Sequence, residues 1–303
     1  MVELLQSVLA AAGVGLAVLA LAWTSSTAVA VGAGRRPSMA FADPLVEGCR
    51  LLRQRRRTTV AADVALWRLG GWGLLPVAVL LGALVPWGEE AVLSTSLGVV
   101  WANTLDVLVW ALVWLLGWGA NSVAGLVGGY RFLALALAYE LPLMFALVAP
   151  VMAAASLDLS VIGDSQGLWY VVWMPVACAA YLLGVLGFAV QGPLAAPAGQ
   201  ESHGGVLAEL SGPDLLVARL GRHALLGAGA AVAVPLFFGG GSGPWLPGMV
   251  WVMAKALVLT VGLAYLAGRL PVLRVPRLLE LGWTVLLPLV VLQDLVVAVV
   301  VTR

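Results

Sequence analysis

The sequence predicts an all-α, polytopic membrane protein: a bundle of about eight transmembrane helices with one amphipathic helix on the membrane surface. The first observation is composition, since 62% of the 303 residues are hydrophobic and only 10% are charged. Soluble domains are closer to one quarter charged. The second is that apolar residues lie in long continuous stretches, which favour helices over barrel strands. The third is that arginine-rich and arginine-free connections alternate along the chain.

The apolar stretches define the individual helices, because a helix needs about 20 apolar residues to cross the hydrocarbon core. They predict spans at 4–33, 66–87, 97–117, 129–155, 168–190, 220–238, 246–267 and 278–301. The whole chain, 1–303, is therefore interpreted as one transmembrane domain. The N-terminal stretch has neither a basic segment nor a cleavage site, so we expect it to be a retained span.

The charges in the connections predict the orientation of the bundle. Arginines concentrate in or next to the loops at about 34–65, 118–128, 191–219 and 268–277. The other connections carry acidic residues and no Lys or Arg: Glu89, Glu90, Asp158 and Asp164. The positive-inside rule predicts that the arginine-rich loops are cytoplasmic. With an even number of spans, both termini are expected on the periplasmic or extracellular side of the inner (plasma) membrane.

Two of the predicted cytoplasmic loops are long. The segment 40–57 is expected to form the amphipathic surface helix, since Leu45, Cys49 and Leu52 fall on one side of it. It would anchor the chain to lipid head groups, dock a partner protein, or do both. The segment 191–217 is long for a connection between helices, and long ordered loops are often functional.

Ionisable residues inside predicted spans are costly and usually face the bundle interior. Four such residues stand out: Asp106, Glu140, Lys255 and Asp294. At 1.5 Å per residue, the first three lie about 14–16 Å from the ends of their helices and share one layer. One interpretation is a buried ion pair between Lys255 and either acid. We favour a row of proton-coupling groups, because three ionisable residues at one depth exceed what packing needs.

The sequence offers little for catalytic or cofactor chemistry. The cysteines, Cys49 and Cys178, lie far apart, and the only histidines are His203 and His223. This pattern excludes a cysteine-ligated iron–sulfur cluster within the chain and argues against a metal site. We expect a protein that is not catalytic on its own and whose partners are lipid and protein rather than nucleic acid.

Four groups of short motifs occur along the chain in the order of one known family. They are RRP (35–37) with PLVEGCRLL (44–52); GWGANS (117–122) with GGYR (128–131) and AYE (138–140); QE (200–201) with AELSGP (208–213); and LRVP (273–276) with GW (282–283). Together they resemble the family formed by the H subunit of NADH-quinone oxidoreductase (complex I), which includes formate hydrogenlyase subunit 4 and related energy-converting hydrogenases. The second group is the most specific, because its residue types and spacing agree together.

The resemblance covers nearly the whole chain and implies a function. The protein would hold a peripheral redox arm on the membrane and couple electron transfer to proton translocation. Its partners would be other membrane subunits and a peripheral iron–sulfur subunit of NADH dehydrogenase or hydrogenase type. No cofactor would be bound by this chain alone, with quinone a candidate at the interface with a partner. Matching positions make Glu140 the buried coupling acid and give these redox-arm and loop candidates: Arg35, Arg36, Glu47, Arg50, Arg131, Glu201, Glu209 and Arg274.

The chain also departs from the family pattern. Four positions that are acidic in the family are not acidic here: Leu194, Pro197, Gly199 and Gly204. The long loop therefore has fewer acidic residues than the family pattern, and fewer sites remain to relay charge. Three alternatives stay open. The chain could be the quinone-chamber subunit of a NADH-quinone oxidoreductase, a degenerate structural anchor, or a stand-alone transporter. The last would require inverted repeats and broken spans, and the sequence indicates neither.

Overall fold

A computed structural model of the protein describes residues 2–88, 91–199 and 204–302, with side chains described from Gln6 onward. Within these ranges the chain is helical, apart from turns and one isolated bridge between Pro86 and Ala91. The predicted all-α class is therefore confirmed. The helices are α1 Val2–Gly32, α2 Pro37–Arg53, α3 Val64–Leu84, α4 Gly98–Gly119, α5 Val123–Ala154, α6 Leu159–Asp164, α7 Tyr170–Trp173, α8 Pro175–Phe188, α9 Gly212–Phe237, α10 Gly248–Arg269, α11 Val275–Leu281 and α12 Leu287–Val301.

Seven helices in the described ranges are long and apolar enough to cross a membrane. They are α1, α3, α4, α5, α9, α10 and the continuous stretch Val275–Val301, in which a π-helical turn at Gly282–Leu286 joins α11 to α12. The predicted span 168–190 is instead two shorter helices, α7 and α8, separated at Met174. The expectation of unbroken spans was therefore wrong here, because apolarity does not reveal where a helix is interrupted.

A side chain from α12 supports the break between α7 and α8. Pro175 opens α8 without an N–H group, and the next two N–H groups, of Val176 and Ala177, donate to Oε1 of Gln293 at 2.8 and 3.0 Å. Nε2 of Gln293 donates to the carbonyl oxygen of Trp173 at 3.0 Å. Lipid offers no water to helix ends, so this one amide satisfies backbone groups on both sides of the break.

Helix α9 lies at the centre of the bundle and packs against α1, α3, α8 and α10. Every residue from 224 to 237 is buried. Small residues allow this close packing: a Cβ atom on Gly229 would lie 2.6 Å from the ring of Phe188, and one on Gly227 would lie 2.6 Å from Cβ of Leu21. Membrane helices associate through such small-residue contacts because lipid supplies no hydrophobic driving force between them.

The surface helix was predicted correctly in type but not in extent. Helix α2 begins at Pro37 and ends at Arg53, whereas the prediction was 40–57. Pro37 suits the first helical turn because its missing N–H would have no partner there. Two other helices begin well before their predicted first residues, 129 and 220: α5 begins at Val123 and α9 at Gly212. Hydropathy misses their first turns, since these contain polar and small residues.

Candidate functional site

A large open cavity of about 2020 Å³ lies at one end of the bundle. Its wall is formed by α1, α2, the start of α5, residues 191–199, α9, and the segment from the end of α10 to α11. We call this the arginine-rich end, because the loops with most of the arginines meet here. The lining is mainly apolar, and the volume exceeds the roughly 300–1,000 Å³ of ordinary small-molecule pockets. The cavity therefore has room for a large ligand with an extended apolar part.

The charged side chains in the cavity wall carry an excess of positive charge. Among the described residues, five arginines line it against two carboxylates: Arg35, Arg131, Arg219, Arg222 and Arg274 against Asp43 and Glu47. Both carboxylates are already paired. Asp43 binds Arg35, and Oε1 of Glu47 binds Arg50 at 2.5 Å and Arg219 at 2.7 Å.

The ion pairs of Glu47 tie the surface helix to the centre of the bundle, because Arg219 belongs to α9. The hydrogen bond from the Arg50 guanidinium, with help from Arg219, lowers the pKa of the Glu47 carboxyl below its usual value. Because the pKa of Glu47 is lower in the folded state than in the unfolded state, its ion pairs stabilise the docking of α2 fully when the pH is above the unfolded-state pKa. This contribution is lost as the pH falls through the folded-state pKa. Since the partners are partly exposed, solvent screening keeps the contribution small.

A polar cluster joins α1, α9 and the segment after α8 beside the cavity. We call it the His223 cluster; its members are Ser25, Gln191, Arg222 and His223. Nδ1 of His223 lies 2.9 Å from Oγ of Ser25 and 3.2 Å from Nε2 of Gln191. Arg222 donates from Nε to the carbonyl oxygen of Ala189 at 3.2 Å and from Nη2 to that of Val190. Polar groups are thereby concentrated at one place in a largely apolar wall.

Two of the predicted proton-coupling residues meet in the bundle interior. Asp106 on α4 is 2% exposed and Glu140 on α5 is 7% exposed. Their four carboxyl oxygens are buried without a hydrogen-bond partner among the described residues, and the two carboxyl groups lie next to each other. Tyr139 and Trp110 lie beside the pair. We call these four residues the buried acidic cluster.

Lys255 does not join this cluster, and no ion pair with Glu140 or Asp106 is found among the described residues. Its Nζ donates to the carbonyl oxygens of Phe238, Gly240 and Ser242 at 2.8, 2.9 and 2.8 Å. It also lies 4.8 Å from the ring centre of Trp169. These contacts close the glycine-rich turn after α9, at the opposite end of α10 from the cavity. The long lysine side chain extends along its helix towards the polar end, which depth along the axis does not predict.

Replacing Lys255 with Met should destabilise the end of the bundle opposite the cavity. Three carbonyl oxygens lose a charged donor, so we expect the free energy of unfolding to fall by about 1–3 kcal/mol. The midpoint of thermal unfolding in detergent measures this. Lys255→Arg keeps the charge with different geometry and should lose less. An unchanged midpoint for Lys255→Met would show that the turn does not depend on these contacts.

Asp294 is also buried and lies apart from the acidic cluster. It is 9% exposed, and neither carboxyl oxygen has a hydrogen-bond partner among the described residues. Its neighbour in sequence, Gln293, supports the break between α7 and α8. The structure therefore divides the four predicted residues among three places: the acidic cluster, the glycine-rich turn and the region of the broken helix.

Comparison with known proteins gives the family. A family model described as NADH dehydrogenase matches residues 5–298. The chain is 30% identical over 277 residues to the NADH-quinone oxidoreductase H subunit numbered 1 in Geobacter metallireducens, covering 88% of this chain and 84% of the relative. This chain belongs to the family of NADH-quinone oxidoreductase H subunits.

Other H subunits of NADH-quinone oxidoreductase show similar agreement. The H subunit numbered 2 in Rhodopseudomonas palustris is 32% identical over 256 residues, covering 83% of this chain and 80% of the relative. The one numbered 2 in Cereibacter sphaeroides is 32% identical over 274 residues, covering 88% and 86%. The resemblance seen in the motifs is therefore confirmed. Membership fits a membrane subunit of an oxidoreductase, and it does not favour the anchor or transporter alternatives.

The structure brings only some of the loop candidates of this H-type subunit to the cavity. Arg35, Glu47, Arg131 and Arg274 line it, and Nη1 of Arg131 donates to the carbonyl oxygen of Gly204 at 3.1 Å. Three others do not line it: Arg36, Arg50 and Glu209. Glu201 lies outside the described residues, as do Gln200 and His203.

Sequence reasoning missed the His223 cluster and did not consider Arg219 as a site residue. The predicted span began at residue 220, so these side chains were treated as its boundary. Arg219, Arg222 and His223 are three and four residues apart, a spacing that places them on one side of a helix. This signal could have indicated a polar face on α9. The partners Ser25 and Gln191 carry no comparable signal, because they are brought in by the fold.

Proposed function

We propose that this chain is the membrane subunit of a complex I-like NADH-quinone oxidoreductase. In this role it admits a quinone to the cavity and couples the redox reaction to proton translocation through the buried acidic cluster. The observation that carries the proposal is the large, mainly apolar cavity at the arginine-rich end of a chain from this family. Its relatives are named as subunits of an enzyme that uses NADH and quinone.

The cavity suits a quinone in both size and chemistry. A quinone has a long apolar tail and a head group with two carbonyl oxygens, which accept but do not donate hydrogen bonds. Apolar side chains from α1 and α2, such as Leu19, Val29 and Leu45, would contact the tail. The excess of arginines provides donors for the head group. Because the cavity is open, a partner subunit would complete it and supply the redox centre.

The buried acidic cluster supports proton coupling. Two adjacent carboxylates would repel each other strongly away from water, so the pair of Asp106 and Glu140 is most stable with one shared proton. Such a pair can take up or release a proton when the nearby charge changes. Helix α5 connects the two sites, since Arg131 on the cavity wall lies about 14 Å from Glu140 along its axis.

The arginine-rich end would face the cytoplasm and dock the peripheral arm, following the positive-inside rule. The apolar outer faces of α1, α10 and α12 would contact lipid and other membrane subunits. Large exposed side chains on α12, including Leu292, Leu295 and Val296, support this assignment. If α7 and α8 together form the eighth span, both termini lie on the periplasmic side.

The test is to purify the tagged chain in mild detergent and identify its partners by mass spectrometry. We expect iron–sulfur subunits and the NADH-oxidising subunits of the peripheral arm. Recovery of a hydrogenase-type large subunit with nickel would assign a different reaction to the same membrane subunit. Recovery of the chain alone, from membranes that contain an intact complex I-like enzyme, would contradict the proposal.

A further inference from the structure

The hydrogen bonds of the His223 cluster determine which ring nitrogen carries the proton. Nε2 of Gln191 lies 3.5 Å from the carbonyl oxygen of Arg222 and 3.2 Å from Nδ1 of His223. A carbonyl oxygen can only accept, so the Gln191 atom between them must be the amide nitrogen, which can only donate. Nδ1 of His223 therefore accepts and bears no proton. The hydroxyl of Ser25 donates to the same nitrogen at 2.9 Å.

It follows that the neutral imidazole carries its proton on Nε2, on the side of the ring away from Ser25 and Gln191. No described residue accepts a hydrogen bond from Nε2. The atom is not fully buried, since it does not belong to the set of fully buried polar atoms without a partner. His223 lines the cavity. The ring thus presents to the cavity an N–H donor that no described residue uses.

The charge next to this donor narrows the class of ligand. Arg222 precedes His223 on α9, lines the cavity, and forms no ion pair with any carboxylate that the structure describes. Its hydrogen bonds to Ala189 and Val190 use Nε and Nη2, and no described hydrogen bond uses Nη1. An N–H donor beside an uncompensated cation favours an acceptor oxygen with partial negative charge and disfavours cationic ligands.

We propose that Nε2–H of His223 binds a carbonyl oxygen of the quinone head group. Ser25 and Gln191 are positioning residues that hold the ring in the required tautomer. This inference rests on the proposed quinone function and adds to it a specific binding atom within the membrane subunit. The apolar tail then lies along the α1–α2 wall, where Leu19, Val29 and Leu45 line the cavity.

Nuclear magnetic resonance can test the tautomer directly, because the chain has only two histidines. His203→Gln leaves His223 as the single ¹⁵N-histidine signal in the full chain in lipid nanodiscs. We expect one protonated nitrogen, Nε2, and one unprotonated nitrogen, Nδ1. Adding decylubiquinone should shift the Nε2–H resonance. A proton on Nδ1, or an Nε2–H signal that does not respond to bound quinone, would overturn the inference.

Quinone binding provides the second test, using substitutions that separate the two ring nitrogens. Gln places an amide N–H near the position of Nε2, whereas the shorter Asn reaches only the position of Nδ1. We expect His223→Gln to bind decylubiquinone almost as well as the parent chain, and His223→Asn to bind it roughly three- to tenfold more weakly. Thr24→Val is the matched control, since the Thr24 hydroxyl bonds within α1 to the carbonyl oxygen of Leu21.

Ser25→Ala tests the positioning role in the same assay. It should allow the second tautomer to appear in the ¹⁵N spectrum and weaken binding by less than His223→Asn does. Equal affinity of parent, His223→Gln and His223→Asn would refute the inference while leaving the quinone function intact. Failure of the parent chain, in its complete complex, to bind decylubiquinone or menaquinone-2 would instead refute the quinone function itself.

Discussion

Replacing Glu140 with Gln is expected to abolish proton translocation while leaving the complex assembled. The side chain keeps its size and its buried position, but an amide cannot hold or release the shared proton. Groups that transfer protons in enzymes contribute roughly 100-fold or more to the rate. We therefore expect proton translocation per electron transferred, measured in proteoliposomes with a pH-sensitive dye, to fall below about one tenth of the parent value.

Two further variants show whether the effect belongs to the buried pair. Asp106→Asn should give the same loss, because Asp106 and Glu140 share one site. Glu280→Gln removes an exposed carboxylate from α11 and should leave translocation unchanged. If Glu140→Gln pumps normally in an intact complex, the acidic cluster has no coupling role, and the interpretation as a structural anchor gains support.

Replacing Gln293 with Leu is expected to cause a large loss of stability in the membrane-spanning part. Leu has a similar volume but leaves two N–H groups and one carbonyl without partners at the break between α7 and α8. Each unsatisfied buried group costs about 1–3 kcal/mol. Partial relaxation of the helix ends should keep the total near 2–5 kcal/mol. A lower midpoint of thermal unfolding in detergent measures the loss.

The matched control for this variant lies one turn away on α12. Val296 is 53% exposed, and Val296→Ala should change stability by less than about 0.5 kcal/mol. Hydrogen exchange should also become faster at Val176 and Ala177 in Gln293→Leu and remain slow in Val296→Ala. Equal stability of the two variants would mean that the break is maintained by packing rather than by the amide.

The sequence was sufficient for features that depend on composition and spacing. Long apolar runs specify membrane helices because lipid requires every backbone group to be satisfied within the segment. Motifs such as GWGANS and GGYR indicated the family because each lies within one short segment, where residue types and spacing can be read directly from the sequence. Asp106 and Glu140 stood out because a charge inside a span is costly wherever the helix lies.

Contacts between segments that are distant in the sequence could not be predicted from composition and spacing. Lys255 has the same depth along its helix as the two acids, yet its side chain reaches the carbonyl groups of a turn instead. Hydropathy treated 168–190 as one span, because an apolar sequence looks alike whether or not its helix is interrupted. Only Gln293, more than a hundred residues further along the chain, shows how the interruption is satisfied.

By itself, the sequence determined that this chain is a helical membrane protein of a recognisable family with acids buried in its spans. These properties follow from local preferences for lipid or water and from short motifs. Only the tertiary structure decided which of the buried acids lie next to each other and where the cavity lies. The contacts of Ser25 and Gln191 with His223 are also seen only in the tertiary structure. The physical reason is that a hydrogen bond depends on the relative position of helices, which hydropathy does not encode.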